Sequence, residues 1–523
     1  FRSLRRVIDD DTFADTAVAR LVDLGLPVPT ESASSARLRF KHALIHDAVY
    51  ETLLRSDRQR LHSRVADLLG TGLDEPESSP ELLAHHLTEA ARFGDAVSSL
   101  LQASQRMAQR AAYQESMGHA RAGLSLVDQV PDLPTRRNLR LLLQAQLGVP
   151  LTALMGYAAP EVEQTYAAAS DLCDEQTPIA ILFPVLRGLA AYYLVRGQID
   201  RSDRLAQQCL AIAHRMRDPA LTIDALSFLA YPTLYLGRVR EAHDFARQGA
   251  QLYEQHGGHK LSYAVPQDPG TAALSIMTTT AWFLGDFAGA DQAAQRLVQH
   301  LARLNRPFDT AFGEVWLAGS YQLHRRHTLA LEHAQIGFAT SQQHGLGTWL
   351  PAAWMQILIA QAAMGSAEAT TQLAQAHQQF MAAGAELSAT FYAWAIARGK
   401  MAAGQNAEAR SAVQDGLARA ESGRETYLHA ELLVLRGQLN DDDSGARADF
   451  HAARQVADRQ GAPALALRAL AHDVLRAGAA DDDATQARSV LDTLDGALVD
   501  GLPPGWVAAA LKRLQEANIR PVT

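Results

Sequence analysis

From about residue 80 onward, apolar and small residues recur at three-to-four spacing in segments separated by short Gly, Asp or Pro stretches. This is the period of successive amphipathic helices, and alternation with a period of two is nearly absent there. One element recurs within the pattern. A helix ends in Gly, two to four polar residues follow, and an Ala or Ser five positions beyond the Gly opens the next helix. It occurs as Gly197 with Ser202, Gly237 with Ala242, Gly285 with Ala290, and Gly404 with Ala409. The glycines stand 40, 48 and 119 residues apart, and Arg325 (with Ala330) and Gly365 divide the last interval into steps of 40, 40 and 39. A helical hairpin of that length cannot cover its own apolar face and must stack on its neighbours, so the pattern predicts a solenoid. The glycine supplies the left-handed backbone at a helix end. The small residue five later lets the second helix pack close to the first, and another seven positions on, at Gly249, Gly337 and Gly416, admits the following hairpin.

The set resembles the tetratricopeptide repeat, whose eighth, twentieth and twenty-seventh places are small, as in Ala230, Ala242 and Gly249, or Ala318, Ala330 and Gly337. The copies run longer than the ~34 residues usual for that repeat, and its aromatic places are only partly filled. The resemblance implies an all-α fold, a right-handed superhelix of helical hairpins over residues 71–478, with capping helices over 479–523. Residues 1–70 read differently. A helix (Phe13 to Leu24) leads to Gly25-Leu-Pro-Val-Pro, a polar loop, the alternating run Arg37-Leu-Arg-Phe-Lys41, and a long helix from about His42 to Leu69. Helix, two-stranded ribbon and helix together suggest the remnant of a winged-helix domain and its linking helix.

Composition narrows the function. At 523 residues and 48% hydrophobic, the chain can bury a large core, and 48 Lys+Arg against 57 Asp+Glu leave a net charge of -9. That balance argues against whole-molecule binding to phosphate backbones, and nucleic acid is not an expected partner. The two cysteines, Cys173 and Cys209, lie in apolar helical stretches and read as small core residues of a protein in a reducing, cytoplasmic setting. Apolar stretches such as Ala180 to Tyr193 are broken by Pro184 and Arg187 and fall short of the ~20 residues of a membrane span. Nothing resembles a signal peptide. The opening at Phe1 reads as the interior of a longer polypeptide.

The run from Arg39 to Leu54, Arg-Phe-Lys-His-Ala-Leu-Ile-His-Asp-Ala-Val-Tyr-Glu-Thr-Leu-Leu, continues to Arg60-Leu-His62 and Leu83-Ala-His-His-Leu-Thr-Glu-Ala90. It is similar to the segment that joins the ATPase core to the tetratricopeptide array in bacterial signalling ATPases of the STAND type, often fused to a class III adenylate/guanylate cyclase. Met155-Gly-Tyr-Ala-Ala-Pro-Glu-Val162, Phe183-Pro-Val-Leu-Arg-Gly188, Tyr193-Leu-Val-Arg-Gly197 and Gln267-Asp-Pro-Gly270 are similar to stretches of the same family's array. The resemblance runs from about Phe13 to Leu475. It implies an upstream nucleotide-binding domain in the same polypeptide, with Lys41, His42, His46, Asp47 and Tyr50 relaying between that domain and the array. The chain itself carries no Gly-x-x-x-x-Gly-Lys-Ser/Thr run to cradle phosphates, and the paired metal-binding aspartates of a cyclase cannot be placed. No catalytic residue, cofactor or metal is therefore expected in this stretch.

Other clusters have plain structural readings. His42, His46 and Asp47 share one helix face, but a third metal ligand is missing. His85-His86 diverge around a helix. His324, Arg325, Arg326 and His327 read as a solvated basic turn, and the triads Asp9–Asp11, Asp441–Asp443 and Asp481–Asp483 as loop and helix-capping residues rather than calcium loops. The seven Lys/Arg between Arg37 and Arg64 suit an internal contact or, alternatively, a DNA-contacting wing. The repeat register turns Arg187, Tyr231, Tyr235, Trp282, Phe283, Trp394 and Arg398 toward the concave face, where aromatic and Arg side chains can anchor a protein or peptide ligand or a small effector. The expected role is a regulatory, effector- or protein-binding sensor of a signalling ATPase or cyclase. A free-standing adaptor and a transcriptional regulator are the alternatives.

Overall fold

The computed structural model describes residues 7, 11–30, 37–40, 43–70, 80–174, 176–261, 263, 265–422, 425–478, 481–496, 503 and 505–519. The chain divides into two compact units, residues 1–150 and 151–523.

The first unit begins with α1 (Asp11–Asp23), followed by the antiparallel pair β1 (Pro27–Thr30) and β2 (Arg37–Phe40), with Pro27 opposite Phe40. Next come α2 (Ala43–Thr52) and α3 (Arg55–Gly70). The expected single helix from His42 to Leu69 is thus broken. The Thr52 hydroxyl donates to the Val49 carbonyl at 2.6 Å, taking an acceptor from the helical ladder just where the chain turns. Three more helices, α4 (Pro80–Glu89), α5 (Phe93–Gln109) and α6 (Tyr113–Leu126), form hairpins whose turns place Ala91 and Ala111 at φ 57° and 58°. Five residues after each turn residue stand Ala96 and Ser116, both wholly buried. The hydroxyls of Ser104 and Ser116 each donate to the other's carbonyl, at 2.9 and 2.8 Å, holding α5 and α6 in close approach. The division between units falls inside α7 (Leu133–Met155), after Pro150, which has no N–H to give the helix.

The second unit continues with α8 (Pro160–Leu172) and then eight hairpins: α9 (Ile179–Val195) with α10 (Ile199–Met216), α11 (Pro219–Tyr235) with α12 (Val239–Gln255), α13 (Pro269–Phe283) with α14 (Phe287–Leu304), α15 (Pro307–Leu323) with α16 (His327–His344), α17 (Trp349–Ala363) with α18 (Ala367–Ala382), α19 (Ala389–Ala402) with α20 (Asn406–Glu421), α21 (His429–Leu439) with α22 (Asp443–Gln460), and α23 (Pro463–Arg476) with α24 (Asp481–Leu494). Helix α25 (Trp506–Ile519) follows and packs on α23 and α24. Each first helix packs on its own partner and on the first helix of the next hairpin, as in a tetratricopeptide solenoid. All six turn positions of the repeat adopt the left-handed conformation, including the non-glycine Arg325 at φ 60°. The small residues Ser202, Ala242, Ala290, Ala330 and Ala409 are buried at the helix crossings.

The two helices of a hairpin differ in kind. Second helices such as α12 bury one stripe, Val239, Ala242, Ala246, Gly249, Ala250 and Tyr253, and leave the rest to water. First helices are buried nearly all round: every residue of α11 from Ile223 to Tyr235 is buried. The reason lies across the superhelix axis. The Val195 carbonyl accepts from the backbone N–H groups of Glu386 and Leu387 at 2.8 and 3.0 Å, and the Tyr235 carbonyl accepts from that of Thr426 at 2.8 Å. Thr348 donates to the Thr152 carbonyl at 2.9 Å across 196 residues, and Arg196 donates to the Gly384 carbonyl at 3.1 Å across 188. Hairpins five places apart therefore stack, and one superhelical turn sits on the next.

Candidate functional site

The stacking of turns leaves a cavity of about 340 Å³ inside the second unit. Its wall draws on the ends of α9 and α11 (Leu194, Val195, Phe228, Tyr231, Tyr235), on α15 and α17 (Phe312, Trp316, Gly319, Trp349, Gln356), and on the region of α19 and α21 (Leu387, Ser388, Phe391, Tyr392, Tyr427). Among the described residues that line it there is no Asp, Glu, Lys, Arg or His. The rings are fixed against one another: Trp316 meets Tyr231 edge-on at 5.0 Å, Trp349 lies 5.0 Å from Phe312, and Tyr235 meets Tyr427 edge-on at 4.9 Å. Ser388 holds the left-handed conformation at φ 64° where α19 begins, and its hydroxyl bonds that of Tyr235 at 2.7 Å, 153 residues away.

Most polar groups on this wall are already engaged. Tyr231 donates to the Ala272 carbonyl at 3.0 Å, and Ser320 bonds Thr278 and Thr279 at 2.6 and 2.7 Å. Four buried atoms on lining residues have no partner: the indole Nε1 of Trp316, the indole Nε1 of Trp349, Nε2 of Gln267 and Oε1 of Gln356. An unpaired polar atom away from water costs free energy of order 1–3 kcal/mol, so such a set marks where a ligand atom would be rewarded.

The seven residues expected on the concave face are distributed among three settings. Tyr231 and Tyr235 line the cavity. Arg187 is buried on α9, pairs with Asp224 at 3.2 Å and lies 3.6 Å over the Phe228 ring. Burial pushes the Asp224 carboxyl up against the pull of that guanidinium. Trp282, Trp394 and Arg398 join a buried ionic cluster near the axis. There Arg468 donates to Glu431 at 2.7 Å and to the Leu494 carbonyl at 3.1 Å, and the Trp394 indole donates to Glu431 at 3.2 Å. Arg325 pairs with Asp495 at 2.9 Å, Arg468 lies 5.0 Å over Trp282, and Arg398 lies 5.1 Å over Trp394. Phe283 packs beside Trp282 in the seam. Six of the seven, all but Arg398, are only 1–5% exposed; Arg187 is covered by Asp224 and Phe228 of the next hairpin, while Tyr235 and Trp282 meet Ser388 and Arg468 of the facing turn.

The same stacking overturns the reading of residues 324–327 as a solvated turn. His324 is buried and stacks on Trp282 at 5.2 Å, and Arg325 is enclosed with Asp495 and Glu431. Burial and the neighbouring arginines hold His324 well below the usual imidazole range and His327 down to about 4. The Gln267-Asp-Pro-Gly270 stretch also has a structural task. Asp268 caps α13 by accepting from the Thr271 N–H at 2.8 Å, and it is bonded by His300 at 2.8 Å and by the Tyr253 hydroxyl at 2.7 Å.

In the first unit, Lys41 and His42 lie outside the described residues. His46 and Asp47 fall on α2, with Asp47 exposed. Tyr50 is half-buried, its hydroxyl 2.9 Å from His62 Nε2, and His62 Nδ1 lies 2.8 Å from His86 Nδ1. Burial lowers His86 to about 4. No three His, Cys, Asp or Glu side chains among the described residues are grouped to hold a metal ion. Asp442 caps α22 through the Gly445 N–H at 2.6 Å, while Asp441 and Asp443 pair with Arg410 and Arg476 at 2.8 and 2.6 Å. No helix among the described residues is long and apolar enough to cross a membrane.

No protein-family model matches the chain. An uncharacterized protein of Rhizobium meliloti (strain 1021) is 24% identical over 462 residues, covering 82% of this chain and 42% of that protein. The chain thus spans about two-fifths of this relative's length. Among solved structures, a Rap protein complexed with competence and sporulation factor aligns with a TM-score of 0.47 at 9% identity, over 77% of this chain and 100% of that one. A signal transduction ATPase with numerous domains (STAND) protein with a tetratricopeptide repeat sensor, from Pyrococcus horikoshii, aligns at 0.44 and 11%, over 84% of this chain and 63% of that one.

Proposed function

We propose that this chain is the sensory module of a larger signalling protein, and that it works by binding a small effector inside the superhelix rather than by catalysis. The observation that carries this reading is the placement of the cavity: its wall is assembled from hairpins that meet only because one turn of the solenoid sits on the next. A molecule held there touches both turns at once and has differential affinity for the closed winding over a loosened one, which is what a ligand needs to shift a conformational equilibrium. The receiver of that shift would be a protein partner, most simply an upstream nucleotide-binding domain of the same polypeptide, reached through the segment around Tyr50. Whether that domain is a STAND ATPase, with or without a cyclase, belongs to this proposal.

Gly319 offers a clean test. It lies on the cavity wall in α15, and a Cβ there would meet only the Gln356 amide, its Nε2 at 3.5 Å. Gly319→Leu should fill the cavity without breaking the fold. The purified chain, incubated with a small-molecule extract of its source cells and washed, should release a discrete compound on denaturation, detected by mass spectrometry. Gly319→Leu with unchanged helicity should release none. Equal release from both, or none from the wild type, would remove the cavity from the proposal.

A further inference from the structure

Resting on the cavity as a ligand site, we infer the class of its ligand: a small, uncharged, largely planar and apolar molecule with a few polar atoms, chiefly hydrogen-bond acceptors, and a donor. The three features of this description come from three different properties of the wall.

Charge comes first. With no ionisable acid or base among the described lining residues other than tyrosine phenols, a bound carboxylate, phosphate or ammonium would lose its hydration and gain no counter-charge. The arginines of the nearby ionic cluster do not line the cavity. Planarity follows from the rings. Phe228, Tyr231, Phe312, Trp316, Trp349 and Phe391 offer faces and edges to a flat body, and the volume sits at the lower end of the ~300–1,000 Å³ usual for ligand pockets. The polar count comes from the unpartnered atoms. The indole N–H groups of Trp316 and Trp349 and the amide N–H₂ of Gln267 ask for acceptors, and Gln356 Oε1 asks for a donor. A sugar is a poor match on the same count. Its many hydroxyls each need a partner, whereas Tyr231, Tyr235, Ser320, Ser388 and Thr348 are already bonded within the protein.

The test uses the whole chain and three defined probes in calorimetric titrations: 2-naphthamide, which is neutral with one carbonyl and one amide N–H₂; 2-naphthoate, of the same shape with one negative charge; and cellobiose. The amide should bind at least ~10-fold more tightly than the naphthoate, and cellobiose should not bind. Trp316→Phe, Trp349→Phe and Gln356→Leu, each checked for wild-type helicity, should weaken the amide by about fivefold, the size of one hydrogen bond. Naphthoate or cellobiose binding as tightly as the amide, or amide binding unchanged in all three variants, would overturn the inference. So would failure of all three probes to bind. In that case a compound recovered from the extract experiment would still uphold the cavity as a ligand site, and only its assigned chemistry would fall.

Discussion

A residue's place in the register says little about its cost until its surroundings are known. Arg217 ends α10 in the left-handed conformation at φ 52° and is exposed. Arg217→Gly should therefore raise stability by about 0.5–1 kcal/mol in urea unfolding, since glycine meets no Cβ clash there. Glu425 shows the opposite situation, a buried acid used as a distant helix cap. It accepts from the N–H groups of Ala389 and Thr390 at 3.0 and 3.3 Å and from the Thr390 hydroxyl at 2.6 Å. Burial nevertheless pushes its carboxyl from 4.5 up to about 7, outweighing those bonds and Arg419. Between these values the folded chain keeps a proton that the unfolded chain releases, so this contribution to stability declines as pH rises through that window and the loss is complete above it. Glu425→Gln should flatten that fall: the difference in Tm between variant and wild type should move in the variant's favour from pH 5 to pH 7.5.

At the scale of helices, one substitution should act with opposite signs on two of them. In α15, Gly319→Ala adds a Cβ whose nearest neighbour is 3.5 Å away, so only the helix propensity gain of about 0.5–1 kcal/mol remains and the variant should be stabilised. In α12, a Cβ on Gly249 would stand 2.7 Å from Ser227 Oγ and 3.3 Å from Ser227 N at the crossing with α11. Gly249→Ala should cost about 1–3 kcal/mol despite the same propensity gain, because the facing backbone cannot yield. The pair is checked by chemical denaturation of the two variants. The repeat register made Gly249 legible as a crossing residue, since a small residue recurs there from hairpin to hairpin. It was silent on Ala91 and Ala111, which hold the same left-handed turn without a glycine to mark it.

At the scale of the molecule, the ionic cluster joins parts of the chain that the repeat pattern treats as remote. Arg325 from the turn before α16, Glu431 from α21, Arg468 from α23 and Asp495 after α24 are enclosed together. Glu431→Ala would leave Arg468 buried beside Arg325 and Arg398 without its main counter-charge, and a loss of about 3–5 kcal/mol is expected. The Arg410–Asp441 pair, with Asp441 exposed, should be dispensable, and Asp441→Asn should leave the unfolding midpoint unchanged. Hydrogen exchange on Glu431→Ala should show faster exchange in α23 and α24 than in α11 and α12, because a solenoid opens from the hairpins nearest the lesion.

The helix period, the hairpin length and the small residues at the crossings are local properties of backbone geometry and side-chain volume, so they are written in the order of residues along the chain. That is why the solenoid and its left-handed turns at Gly197, Gly237, Gly285, Arg325, Gly365 and Gly404 could be read directly. How tightly the solenoid winds was decided only in three dimensions. A small rotation per hairpin, summed over five hairpins, brings Val195 against Glu386 and Tyr235 against Thr426, and no local pattern encodes that sum. The winding turned a supposed open groove into a packed interior, a supposed solvated turn into a buried charge cluster, and an array of aromatic side chains into the wall of one uncharged cavity.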